Sequence, residues 1–80
     1  MAEVVWPESV LEVLAALPFR DAELILKKAD GLERFPRLYP VRTKGRFRGH
    51  RWFVAGSWLV YYRAIRGEVY IRAIWPARIP

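Results

Sequence analysis

The sequence predicts an α+β domain in the order β-α-α-β-β-β: an N-terminal strand, a helical hairpin and a three-stranded antiparallel meander. Three observations predict it. Apolar residues recur twice at helical spacing between Pro7 and Pro36. From Arg51 onward the apolar period drops to two. Glycine-containing dipeptides then punctuate the chain at strand-length intervals. Helices that precede a run of strands, rather than alternate with them, point to α+β rather than α/β.

Ala2–Trp6 is a short β-branched run closed by Pro7, which reads as a strand. Pro7 then opens a helix in its first turn, where a missing N–H costs nothing. Val10, Leu11, Val13, Leu14 and Leu17 fall on one helical stripe, and Pro18 ends it. A second helix starts near Asp21, a good N-cap, and stops before Pro36. Its stripe is Ala22, Ile25, Leu26, Ala29 and Leu32, weakened at Gly31 by about 1 kcal/mol relative to Ala. Residues 36–49 hold two Pro, two Gly and five cations, the composition of a loop or irregular extended segment. Arg51–Ala55, Trp58–Ala64 and Glu68–Trp75 read as strands joined by tight turns at Gly56-Ser57 and Arg66-Gly67. Alternation places Trp58, Val60, Tyr62, Ala64, Val69, Ile71, Ala73 and Trp75 against the helices. It leaves Leu59, Tyr61, Arg63, Tyr70, Arg72 and Ile74 on the opposite face.

Eighty residues predict one domain, residues 1–80. A domain this small buries only about 60–65% of its unfolded surface, so its stability is marginal without dense packing or a partner. Cys is absent, which excludes disulfides, thiolate metal sites and a cysteine nucleophile. With a single His, no metal site and no cofactor are expected. The 54% hydrophobic content, with four each of Trp, Tyr and Phe, favours a dense core and a surface meant to be covered. No apolar run approaches the roughly 20 residues of a membrane-spanning helix. MAEVVWPESV lacks the basic start of an export signal, so the expected location is cytoplasmic, with no membrane association.

The charges are sorted along the chain. Residues 1–33 carry a net −4, whereas residues 34–80 carry +10 with Glu68 as the one acid. Cations and the lone histidine recur at alternate positions: Arg42, Lys44, Arg46, Arg48 and His50. A field of that sign and density attracts polyanions. The predicted open sheet face interleaves aromatics with arginines, so rings can stack on bases while guanidinium groups hold phosphates. The competing reading is cross-strand pairing of Tyr with Arg that only stabilises a solvent-facing sheet.

Two segments, LERFPRLYPVR (32–42) and RWFVAGSWLVYYRAIRGEVYIRAIWPAR (51–78), flank a basic stretch. Together they resemble the RelE/ParE superfamily, the toxic halves of bacterial type II toxin–antitoxin pairs. In that family a helix runs into a Phe-Pro element, a basic loop and strand follow, and a hairpin leads to a last strand ending near an Arg. The N-terminal strand and helical hairpin match the family's layout, so the resemblance covers most of the chain. It implies a RelE/ParE-like toxin domain, a cognate antitoxin in a hetero-oligomer, and RNA bound at the ribosome. The RNA-cleaving members attack a phosphate with the adjacent 2′-hydroxyl, which needs a base, cations for the developing charge and an acid.

Carried over residue by residue, the resemblance assigns the cations of the site to Lys44, Arg46, Arg48, Arg51 and Arg78; charge spacing and strand alternation add Arg42, Arg63 and Arg72 to the nucleic-acid-binding set. Of these, Arg51 and Arg78 are catalytic candidates, and the residues themselves add His50 and Tyr61. His50 is one acid–base candidate, since imidazole is the side chain most suited to proton transfer near neutral pH; Tyr61 is the other. Three departures imply weak or degenerate cleavage. Leu59 follows Trp58 where the family usually has an active-site Arg, and Pro76 stands where many members have His. The sequence also ends at Pro80, before the tail that carries a catalytic Tyr in some members. The alternatives are a non-catalytic toxin that inhibits a protein target such as DNA gyrase, and an inactive toxin-fold binding module.

Overall fold

The computed structural model describes residues 1–77. The chain forms β1 (Glu3–Val5), α1 (Glu8–Ala16), α2 (Phe19–Asp30), a 3₁₀ turn (Gly31–Glu33), β2 (Arg51–Ala55), β3 (Trp58–Ile65) and β4 (Glu68–Pro76). The strands make one mixed sheet in the order β1-β4-β3-β2. The last three strands are the antiparallel meander that the sequence predicts. β1 joins its far edge in parallel with β4, pairing Val4 with Val69 and Val5 with Tyr70. No described helix is long and apolar enough to cross a membrane.

The prolines set the helix starts. Pro7 and Pro18 are the N-caps themselves, one residue before each first helical position. The second helix therefore begins at Phe19, two residues earlier than Asp21 suggests. Neither helix has a side-chain cap; instead the Pro7 and Pro18 carbonyls accept the first helical N–H bonds. Asp21 is used elsewhere, accepting the indole N–H of Trp58 at 3.0 Å and tying the start of α2 to the start of β3.

α1 lies over β4 and α2 over β2. Val10 and Leu14 supply the buried stripe of α1, while Leu11 and Val13, predicted on the same stripe, are exposed. Ile25, Ala29 and Leu32 do the same for α2 and its 3₁₀ extension, with Leu26 exposed. Below them lie Phe53, Ala55, Val60, Tyr62, Val69, Ile71 and Ile74. Lys28 reaches from α2 to the outer edge of β2 and donates to the Val54 carbonyl at 2.6 Å. A charged side chain on an edge strand hinders pairing with another chain.

The predicted faces of the last strand need one correction. Tyr61 pairs with Ala73 but Tyr62 pairs with Ile71, so Arg72 is an extra residue in the ladder. Such a bulge reverses the alternation beyond it, because side chains alternate with a period of two. Ile74, expected on the open face, is buried in the core. Trp75 and Ala73, expected in the core, lie on the open face, where Trp75 pairs with Leu59.

Tyr62 is fully buried and its hydroxyl donates to the Pro36 carbonyl at 2.9 Å, tethering the following loop to the sheet. Burial raises its pKa above 10.0; the Tyr39 backbone and the Arg51 guanidinium pull the other way and lose. The folded chain therefore holds this proton more tightly than the unfolded chain does. Stability is unaffected below the unfolded value and falls as pH rises above about 10. Tyr62→Phe is expected to lose about 1–2 kcal/mol at neutral pH by orphaning the Pro36 carbonyl, and to show a shallower alkaline decline. Urea melts of both chains from pH 7 to 11 check this, and parallel declines would refute the assignment to Tyr62.

Candidate nucleic-acid interface

The segment between the 3₁₀ turn and β2 is more ordered than its composition suggests. Val41 bridges to Arg51, Arg42 N–H donates to the His50 carbonyl at 2.7 Å, and Trp52 N–H donates to the Pro40 carbonyl at 3.2 Å. Gly49 N–H closes the loop onto the Arg42 carbonyl at 2.8 Å. Residues 40–52 thus form a short hairpin that continues β2 beyond the main sheet. Its tip turns at Gly45 (φ 82°) and Gly49 (φ 88°), left-handed conformations that residues with a Cβ rarely adopt. The alternate cations are consequently not an extended ladder. The turns separate them, and they do different things.

Phe47, between the two glycines, folds back onto the open sheet face. Its ring stacks on Tyr61 with centroids 4.1 Å apart and planes 11° from parallel. It meets Trp75 edge-on at 5.6 Å and His50 edge-on at 5.7 Å. Two arginines cover this cluster. Arg42 Cζ lies 5.9 Å from the Tyr61 centroid, and Arg46 Cζ lies 5.4 Å from Trp75 and 5.9 Å from Phe47. These distances are within the range of cation–π attraction, about 0.5–1 kcal/mol each at exposed sites. Lys44 and Arg48 stay exposed on the same hairpin tip.

This arrangement changes the reading of individual residues. Tyr61 is on the predicted face, but Phe47 covers it and leaves it only 4% exposed. Trp75, at 43% exposure, is the accessible ring. Both ring nitrogens of His50 are shielded from solvent and have no hydrogen-bond partner among the described residues. Arg51 lies on the helix side, in register with Tyr62. There it donates to the Tyr39 carbonyl at 2.7 Å and, more weakly, to that of Arg37 at 3.5 Å. Its guanidinium thereby braces the loop in which Tyr62 also ends. Arg63 and Arg72 are exposed and share a separate recess with Tyr70. Arg78 lies outside the described residues. Sequence reasoning overlooked Phe47, although an aromatic framed by two glycines in an otherwise polar loop was a usable signal.

The described residues contain no cluster of three His, Asp or Glu side chains able to hold a metal. The cations and rings that the face presents are groups able to stack with planar groups and to bind phosphates. Comparison with protein-family models and with curated proteins finds no match to this chain.

Proposed function

We propose that this chain is the toxin of a RelE/ParE-like type II toxin–antitoxin pair, and that its hairpin-capped sheet face binds single-stranded RNA at the ribosome. The observation that carries the proposal is the stack of Phe47, Tyr61 and Trp75 under Arg42 and Arg46, with Lys44 and Arg48 beside it. Base stacking on such rings is worth about 1–3 kcal/mol per base, and phosphate contacts by the neighbouring cations add salt-dependent affinity. Trp75 receives a base directly. Tyr61 and His50 become available only when Phe47 moves aside. The element order β-α-α-β-β-β and the Phe-Pro element before a basic loop agree with the resemblance.

An acidic or amphipathic antitoxin segment fits the remaining surface. Phe35, Leu38 and Val41 are exposed next to Arg34, Arg37 and Arg42, an apolar strip bordered by positive charge.

Catalysis on this face is expected to be slow. Leu59 lies opposite Trp75 and contributes no charge, and Arg51 is engaged with backbone carbonyls. His50 has no carboxylate orienting it. Positioned acid–base groups supply about 10²–10⁴-fold in rate, and His50 and Tyr61 in this covered state supply little of it. With purified ribosomes carrying mRNA, the chain is expected to co-sediment and to give weak cuts or none. His50→Ala removes any cuts that do occur. Rapid, codon-position-specific cleavage that survives His50→Ala would overturn the placement of the site. Inhibition of DNA gyrase without ribosome binding would overturn the RNA reading.

A further inference from the structure

Farther along the same sheet face, toward the β3–β4 turn, lies a cleft of about 340 Å³ bordered by Arg63, Arg72, Tyr70 and His50, with Pro7 and Ile65 as apolar walls. It adjoins the Phe47 stack at His50, whose ring meets Phe47 edge-on, but its arginines lie farther along the strands. Arg63 pairs with Tyr70, four residues along β3 from the Leu59–Trp75 pair, or about 13 Å at the usual rise per residue. The β4 bulge helps to build it, since Arg72 is the extra residue that the ladder leaves unpaired. Bulges commonly re-aim a side chain where a ligand is met.

Two features of the cleft call for an anion. Two guanidinium groups line one small recess, and among the described residues no carboxylate lines it with them. Glu68 and Glu3, paired with each other across β4 and β1, stand close to Tyr70 and border the cleft, but neither lines it. A phosphoryl group between Arg63 and Arg72 would neutralise the like charges and take bidentate hydrogen bonds. The Tyr70 ring with Pro7 and Ile65 offers an apolar seat for the planar part of the same ligand, and the volume falls in the lower part of the range for small-molecule sites.

We propose that this cleft binds one nucleotide, its phosphate held by Arg63 and Arg72 and its base lying against Tyr70. The proposal rests on the nucleic-acid reading for its ligand class, and the test separates the two. The full chain is titrated with adenosine monophosphate and with adenosine, followed by ¹⁵N NMR. Adenosine monophosphate is expected to shift the amides of Arg63, Tyr70 and Arg72, with adenosine at least about tenfold weaker because the charged hydrogen bonds are missing. Arg63→Gln and Arg72→Gln, both at exposed positions, should each weaken the nucleotide about tenfold, whereas Arg46→Ala with Arg48→Ala should change it less than about twofold.

Equal binding of adenosine, shifts centred on residues 42–48, or indifference to both glutamine variants would overturn the proposal. A short oligoribonucleotide with and without a 5′-phosphate separates the sources. Tighter binding of the phosphorylated strand identifies an RNA end, and no gain over adenosine monophosphate identifies a free nucleotide. RNA retention by the hairpin without nucleotide binding here would sink this site and leave the RNA reading intact. Nucleotide binding here without RNA retention would do the reverse.

Discussion

Replacing Phe53 with Ala is expected to remove about 3–5 kcal/mol of folding stability, a large part of what a chain of this size has. Phe53 is 2% exposed, in the middle of β2, with its ring 5.0 Å from that of Tyr39 and 6.3 Å from that of Tyr62. Removing a buried aromatic loses its transfer free energy and leaves a cavity that a packed core closes only partly. A chain of 80 residues has about 4–12 kcal/mol in total, so the loss is comparable with the whole. The effect should extend beyond β2. Tyr39 and Tyr62 both pack on this ring, and Tyr62 tethers the loop that carries the basic hairpin. Phe19→Ala is the matched control: the same side chain at 78% exposure is expected to change stability by less than about 0.5 kcal/mol. Urea denaturation of the two variants tests this, and a loss below about 1.5 kcal/mol at Phe53 would contradict the packing described.

The limits of the sequence reading have specific physical causes. The three C-terminal strands were legible because β-branched and aromatic residues alternate there and two short turns separate them. The faces of β3 follow from parity, since Val60 and Tyr62 point inward as expected. Parity failed on β4 beyond Arg72 because a bulge is a property of the pairing between two strands, and neither strand announces it alone. Arg51 shows the opposite case. It has the parity of Phe53 and Ala55, both buried, so its inward placement was legible, yet its charge drew it into the catalytic set. The helix stripes were too broad. Leu11, Val13 and Leu26 have helical spacing but face away, since each short helix covers only one edge of the sheet. The Phe47 stack depends on closure of residues 40–52, which long-range bonds such as Gly49 N–H to the Arg42 carbonyl impose.

Replacing Lys44, Arg46 and Arg48 together with Ala is expected to reduce RNA affinity strongly at low salt and hardly at all at high salt. Each contact between a cation and a single-stranded phosphate releases condensed counterions and adds about −0.7 to the slope of log affinity against log salt. Three lost contacts flatten that slope by about 2, so the gap from the wild-type chain should close about 100-fold over a tenfold rise in salt. The fold should survive, because all three side chains are exposed and among the described residues none donates a hydrogen bond that holds the hairpin. Arg46 does cover Trp75, so its removal also uncovers a ring on which bases stack. That contribution is not electrostatic and should remain as salt-independent residual binding, which Trp75→Ala added to the triple variant then removes. Filter-binding titrations with unstructured homopolymeric RNA at several salt concentrations separate the two parts. An unchanged slope in the triple variant would place the RNA-binding surface elsewhere. A changed slope with no residual stacking would leave the hairpin as a nonspecific electrostatic contact and deprive the Phe47–Tyr61–Trp75 cluster of a role in binding.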